Sequence, residues 1–427
     1  MIKVRKNAQI SAWFVKLGLV SVLGSIHACG VEESGISPPK NAFYNPLGLS
    51  AHPDGRYLFV SNAVFDRSYN RSFISVIDTF ENKIIEDLTT EVDLFAGELK
   101  LSQTCSPSRE AQGECTSRVL GVVTSRDQNT VTSFEVKAND DHSELEIKCG
   151  QVSGNSRCAG EFIQHSGLQA RSSEAPYGLS FDGEFAYLSH INTGALSAWR
   201  VTEQAPYVDF ACQLQIPGAN LVAQHPNHRS VVLSDRFGRS IFQAERLPKT
   251  NGDCQLRLLT QDPVSNSVLS NEHQGIAFSA DGSQLYVVSS IEGSLKVFST
   301  NLREDGSLFK QQVANIPVGQ SANIVRVAGK SNGSTTEGSQ QNTVDELGQG
   351  LVYVSSLREG TITVIDPQSL SILSHIEVGR QPHDIAFLVN GQGELRAYVS
   401  LFQEHKIAVI DLQPGSDTRF TKIGEIK

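Results

Sequence analysis

Tyr57-Leu58-Phe59-Val60-Ser61 is an apolar run closed by a hydroxyl residue, and it recurs six more times along the chain. The other copies are Gly121-Val122-Val123-Thr124, Phe185-Ala186-Tyr187-Leu188-Ser189, Ser230-Val231-Val232-Leu233-Ser234, Leu285-Tyr286-Val287-Val288-Ser289, Leu351-Val352-Tyr353-Val354-Ser355 and Arg396-Ala397-Tyr398-Val399-Ser400. Apolar residues at consecutive positions bury both faces of a strand. After each run comes a polar turn and an alternating strand: Ile74 to Asp78, Val131 to Glu135, Leu196 to Arg200, Ile241 to Glu245, Leu295 to Ser299, Ile362 to Asp366 and Ile407 to Asp411. From the hydroxyl residue to the last polar one, the spacing is 11 in five copies, 10 from 289 to 299 and 17 from 61 to 78. A near-constant offset means one repeated hairpin, with six extra residues in the first loop.

Upstream of the apolar run, several copies carry an aliphatic strand and a turn, as in Gly48-Leu49-Ser50-Ala51-His52-Pro53-Asp54-Gly55, Gly178 to Gly183, Gly275 to Gly282 and Asp384 to Gly391. Their Asp-Gly and Asn-Gly pairs supply the positive φ of tight turns. Downstream, a fourth strand is expected at Ile84 to Leu88, Leu145 to Lys148, Cys212 to Ile216, Cys254 to Leu259, Gln312 to Val318, Leu373 to Val378 and Thr421 to Ile426. Seven units of four antiparallel strands predict an all-β protein, a seven-bladed β-propeller whose sheets are packed on both faces by their neighbours.

The segments His52-Pro53-Asp54-Gly55, Leu285-Tyr286-Val287, Ile74-Ser75-Val76-Ile77-Asp78, Ile362-Thr363-Val364-Ile365-Asp366 and Ile376-Glu377-Val378-Gly379 resemble the YVTN repeat family. The resemblance covers nearly all of residues 45–427, and the second and fourth units lack its Pro-Asp-Gly turn. The first unit begins with its innermost strand and the seventh ends with its outermost. Ring closure is therefore expected either from face packing alone or with residues 31–44 recruited. Residues 328–350, rich in Gly, Ser, Thr and Gln, read as a polar loop inserted in the sixth blade.

Residues 1–28 read as an export signal: Lys3, Arg5 and Lys6 precede a mainly apolar run from Trp13 to Ile26 that is short for a membrane span. Its end, Ile26-His27-Ala28-Cys29-Gly30, resembles a bacterial lipoprotein signal. That resemblance implies a lipidated Cys29 as the first mature residue, anchoring to the membrane through two or three chains. With Gly30 and Val31 following and no Asp, it implies the outer membrane of a Gram-negative cell envelope. Residues 29–44 then form the lipidated cysteine and its linker, and 45–427 the propeller.

Setting Cys29 aside leaves Cys105, Cys115, Cys149, Cys158, Cys212 and Cys254, an even number suited to an oxidising compartment. Short separations favour the pairs 105 with 115 and 149 with 158, leaving 212 with 254. No C-x-x-C pair exists, which argues against zinc.

The formal charge of the chain is −10, and removing the first 28 residues, with four positive side chains and no acid, takes it to −14. An acidic body disfavours nucleic acid as a partner. Gly329-Lys330-Ser331-Asn332-Gly333 matches G-x-S-x-G but lacks the strand-turn-helix that a nucleophile elbow needs, and Ile324 stands where a phosphate loop needs glycine. No haem or HExxH zinc motif exists, so neither cofactor nor metal is expected. Only Trp13 and Trp199 are present, and Trp13 lies in the signal, which disfavours a quinone-dependent redox propeller.

Propeller ligands sit where the loops between middle strands meet the links between blades. That rim is expected to receive His190, Asp235, Arg236, His273, Arg358, Arg380 and His383, together with Arg126, Asn192, Arg239, Glu292, Asn323, Glu359, Glu404 and His405. Mixed charge converging in a concavity is a binding site by default. With no catalytic set in view, the sequence points to a monomeric, lipid-anchored envelope propeller that binds a protein, peptide or glycan. A propeller-type lactonase, to which the repeats are also similar, is the alternative.

Overall fold

A computed structural model describes residues 35–104, 118–139, 144–151, 156–166, 174–181, 183–247, 254–264, 272–328, 350–390 and 392–427. The signal segment, Cys29, the Cys105 and Cys115 pair, and residues 329–349 lie outside the described residues. Gly35–Lys427 forms one unit of seven antiparallel sheets.

The seven innermost strands are Pro46–Ala51, Ala96–Thr104, Pro176–Phe181, Ala219–Gln224, His273–Phe278, Ala322–Val327 and Pro382–Val389. Consecutive innermost strands pack side by side, and the seventh returns to the first, so they surround a central channel. Each is followed outward by the apolar second strand: Tyr57–Asn62, Arg118–Ser125, Phe185–His190, Ser230–Asp235, Gln284–Ser289, Val352–Ser356 and Leu395–Leu401. These are the seven apolar runs, buried along nearly their whole length, as expected of strands covered on both faces. The main core clusters lie between neighbouring blades: Phe59, Val76 and Leu99 meet between blades one and two, Tyr187, Leu196 and Leu233 between three and four. A blade alone would expose both apolar faces, which is why the unit folds only as a ring.

The hydroxyl that ends the apolar run joins one blade to the next. Ser61 Oγ accepts from the Gly48 amide of its own blade at 2.9 Å and donates to the Gly97 carbonyl of blade two at 2.6 Å. Thr124 donates likewise to Tyr177, Ser189 to Asn220, Ser355 to His383 and Ser400 to Leu47. The fifth blade corrects the sequence alignment. Its innermost strand pairs His273 with Ser289 and Ile276 with Val287, as Pro46 pairs with Asn62 and Leu49 with Val60, so Val288, not Ser289, holds the hydroxyl position. The spacing from Val288 to Ser299 is then the same 11 seen elsewhere.

Two outermost strands differ from expectation. In blade one the strand expected over Ile84 to Leu88 is broken by a 3-10 turn at Glu86–Leu88, leaving Lys83–Ile84 and Thr90–Val92 to pair with different parts of Ser72–Asp78. In blade two, Leu145–Lys148 and Ile163–His165 both pair with Thr130–Ala138, and the Cys149–Cys158 disulfide closes the excursion between them. A second disulfide, Cys212–Cys254, ties blade three to blade four with Cα atoms 5.4 Å apart.

Closure between blades seven and one uses face packing without a shared strand. Leu49, Leu58 and Val60 meet Leu388, Tyr398 and Ile407, and Phe43 adds to the same core. Residues ahead of the first strand are recruited: the Asn45 amide donates to His405 Nδ1 at 2.9 Å, and Tyr44 stacks on His405 with centroids 4.5 Å apart.

Candidate functional site

One end of the channel is built from a backbone device repeated in every blade. The residue after the second strand donates its amide to the carbonyl of the residue before the innermost strand: Ala63 to Asn45, Arg126 to Phe95, Ile191 to Ala175, Arg236 to Gly218, Ser290 to Glu272, Leu357 to Ser321 and Phe402 to Gln381. Every acceptor residue has φ between 49° and 88°, and only Gly218 is a glycine. Non-glycine residues adopt this left-handed conformation at a cost, so its recurrence shows that the surrounding ladder enforces it. The device places Arg126, Ile191, Arg236, Leu357 and Phe402 at equivalent positions around one mouth of the channel.

Below the mouth, each innermost strand bulges after its first residue. The bulge turns positions two and five toward the channel, half-exposed in Tyr177 and Ser180, and in Gln274 and Ala277. Glycine at position three, as in Gly178 and Gly275, leaves room for the next blade, whose backbone a Cβ would approach to 2.5 Å. Blades two and seven instead carry Glu98 and Asp384 there. Both carboxylates accept an amide of the following blade, Glu98 from Leu179 at 3.4 Å and Asp384 from Leu49 at 3.0 Å.

Arg326, at position five of blade six, completes this arrangement. Its Nη2 lies 2.8 Å from Asp384 Oδ1 and 3.3 Å from Glu98 Oε1, so one guanidinium links blade six to blades seven and two. Lys100 Nζ stands 3.9 Å from Glu98 Oε2. Burial opposes the charge on Arg326, but the Asp384 and Glu98 carboxylates outweigh it and raise its pKa. Burial likewise opposes ionisation of Asp384, and the fields of Arg326 and Lys100 with two backbone amides bring its pKa below the ordinary value.

The residues expected at the rim divide by environment. His190 ends the second strand of blade three, fully buried, with Nε2 2.7 Å from Ser197 Oγ and Nδ1 3.6 Å from Glu174 Oε2. His273 opens the innermost strand of blade five, fully buried beside the Lys296–Glu292 ion pair. Asp235 caps its own turn, Oδ1 accepting from Phe237 at 3.1 Å and Gly238 at 2.8 Å, and burial pushes its pKa up. His190 and Asp235 are held within their own blades, while the His273 carbonyl also accepts from Asn220 Nδ2 of blade four at 3.1 Å.

His383 occupies position two of blade seven on the channel wall. Arg236 lies half-buried over the Phe237 ring. Arg358 and Arg380 are exposed, and the Arg380 amide donates to Glu404 Oε1 at 2.7 Å. Burial lowers the pKa of His190, His273 and His383 to about 4 in each case; Lys296 adds to this at His273, and Arg126 and Arg326 at His383, where Asp384 opposes it. All three are therefore neutral at physiological pH. Among the described residues no three His, Cys, Asp or Glu side chains are grouped to hold a metal ion.

Sequence reasoning missed Glu98, Lys100 and Arg326 and left Asp384 in a strand without a role. Aligning the seven innermost strands would have exposed them: charges stand at positions where the other blades carry uncharged residues, Gly, Leu or Ile at position three and Ser or Ala at position five.

No protein-family model matches the chain, and no curated protein matches it. Solved structures do. A putative 6-phosphogluconolactonase of Bacteroides fragilis superposes with a TM-score of 0.58 at 14% identity, covering 88% of this chain and 96% of that one. The periplasmic gluconolactonase PpgL of Pseudomonas aeruginosa gives 0.56 at 14% identity, covering 87% and 96%. Kuenenia stuttgartiensis hydrazine synthase gives 0.52 at 12% identity, covering 91% and 99%. At such identities the likeness is one of fold, shared among proteins named for different chemistries.

Proposed function

We propose that this protein is an exported, lipid-anchored propeller of the YVTN type that binds a protein, peptide or glycan at the mouth of its channel. The observation that carries the reading is the division along the channel axis. Deep in the channel Arg326 satisfies the buried charges Glu98 and Asp384, so that level serves the ring itself. At the mouth, Arg126, Arg236, Ile191, Leu357 and Phe402 form a half-buried mixed collar set by the backbone. Two disulfides support an oxidising compartment, and one of the similar structures is named as periplasmic. Lipidation rests on the sequence around Cys29. Probing peptide and glycan arrays with the protein tests the binding role; signal that survives Ile191→Glu with Leu357→Glu would remove the mouth from it. Equal incorporation of radioactive fatty acid into wild type and Cys29→Ala would remove the anchor.

A lactonase is the second reading, favoured by the gluconolactonases among the similar folds. Against it, the histidines His190, His273 and His383 are weak bases, their pKa values held at about 4. Hydrolysis of gluconolactone above the uncatalysed rate, lost in Arg126→Gln, would establish this reading instead.

A further inference from the structure

Several buried and half-buried arginines of the blades are paired with carboxylates. Arg56 meets Asp78 at 2.7 Å, Arg71 meets Asp93 at 2.7 Å, Arg246 meets Glu184 at 2.7 Å, and Arg396 meets Asp411. Arg118 instead donates to the Thr202 and Glu203 carbonyls, Arg419 lies over the Phe420 ring, and Arg126 and Arg236 at the mouth are likewise without a carboxylate among the described residues. Arg126 Nε is buried without a hydrogen-bond partner. Arg126 sits instead between two aromatic rings, 4.7 Å from the Phe65 centroid and 5.2 Å from that of Tyr177. Burial lowers its pKa; among the neighbouring charges, Tyr177 offsets this while the like charge of Arg236 adds to it. Two guanidinium groups at equivalent collar positions of one concavity, without an ion pair among the described residues, in a protein of strongly negative charge, make a local positive field that an anion would neutralise.

The surroundings restrict the anion. Phe65 lies 5.2 Å from Phe95 and 5.5 Å from Phe402, all three half-exposed, and Ile191 and Leu357 stand at equivalent places in the collar. An apolar collar around an arginine fork suits a planar carboxylate on an apolar body better than a strongly hydrated phosphate. We infer that the channel mouth binds an organic carboxylate carried on an apolar or aromatic group, with Arg126 and Arg236 holding the carboxylate and the Phe65 cluster covering the rest. This rests on the reading of the mouth as the ligand face.

The test is calorimetric titration of the full-length protein in detergent with N-acetylphenylalanine, its primary amide and inorganic phosphate. The acid is expected to bind, with the amide and phosphate each weaker by about tenfold or more. Arg126→Gln and Arg236→Gln should each weaken the acid by about tenfold while keeping the melting temperature, and Lys83→Gln, exposed on the outermost strand of blade one, should leave it unchanged. No binding of the acid at millimolar concentration, equal binding of acid and amide, phosphate binding as tightly as the acid, or unchanged affinity in both arginine variants would overturn the inference. Failure here with array binding still lost in Ile191→Glu/Leu357→Glu would leave the mouth as ligand face; survival of that array signal would remove the broader reading too.

Discussion

Ser400 Oγ donates to the Leu47 carbonyl at 2.8 Å, across 353 positions of sequence, and thereby fastens the last blade to the first. The same hydroxyl accepts from the Asp384 amide at 2.9 Å. Ser400→Ala leaves both backbone groups buried and unpaired at the closure seam, at an expected cost of about 2 kcal/mol or more. Urea unfolding measures it. At Val288, where the hydroxyl is missing, Val288→Thr is expected to be neutral or stabilising; a loss as large as that of Ser400→Ala would show that the hydroxyl does not act as an inter-blade clamp.

Arg326→Gln strands Glu98 and Asp384 in the channel, and removing one partner of such a buried pair costs about 3–5 kcal/mol. The pH dependence gives a second readout. In the wild type the folded pKa of Asp384 is lowered, so its contribution is present above the unfolded value and lost as pH falls through the folded value. Without Arg326, burial would raise that pKa, and the deficit should shrink as the pH approaches about 4. A deficit equal at neutral and acid pH would contradict the network.

His190, His273 and His383 carry pKa values of about 4 against an ordinary 6.5, all three lowered chiefly by burial. Between those values the unfolded chain binds more protons than the folded one, so stability is full above the unfolded pKa and falls as pH drops toward the folded one. The slope is up to about 1.4 kcal/mol per pH unit for each histidine. Denaturant midpoints measured from about pH 7.5 down to about pH 5 should fall, and each His→Gln variant should flatten the profile. A level profile would contradict the burial of these rings.

Cys212–Cys254 closes a sequence separation of 42 residues and Cys149–Cys158 one of 9. By loop entropy the first contributes about 4 kcal/mol and the second about 3 kcal/mol. Paired serine substitutions should therefore destabilise more at 212 and 254, measured by thermal unfolding under non-reducing conditions. The reverse order would show that the bond between blades three and four is not formed.

The number of blades was legible because strands covered on both faces write themselves as continuous apolar runs. What the terminal hydroxyl does was not, since its acceptor belongs to the next blade and, for Ser400, to the far end of the chain. The slip at Val288 arose because Ser289 mimics the hydroxyl position one residue late; only the pairing of His273 with Ser289 reveals it. The left-handed residues of the mouth were hidden because Asn45, Phe95, Ala175, Glu272, Ser321 and Gln381 hold that conformation without being glycine. Glu98 and Arg326 lie 228 positions apart and meet only because the ring brings blade six and blade two to one channel.

The central claim, that the mouth is the ligand-binding face, is tested most directly by photo-crosslinking in cells that carry the protein. A photoactivatable side chain at Leu357, on the collar, is compared with one at Leu373, exposed on the outermost strand of the same blade. The account predicts a discrete adduct from position 357 that disappears in Ile191→Glu, and none from position 373. An adduct from position 373 alone, or the same adduct from both, would contradict it.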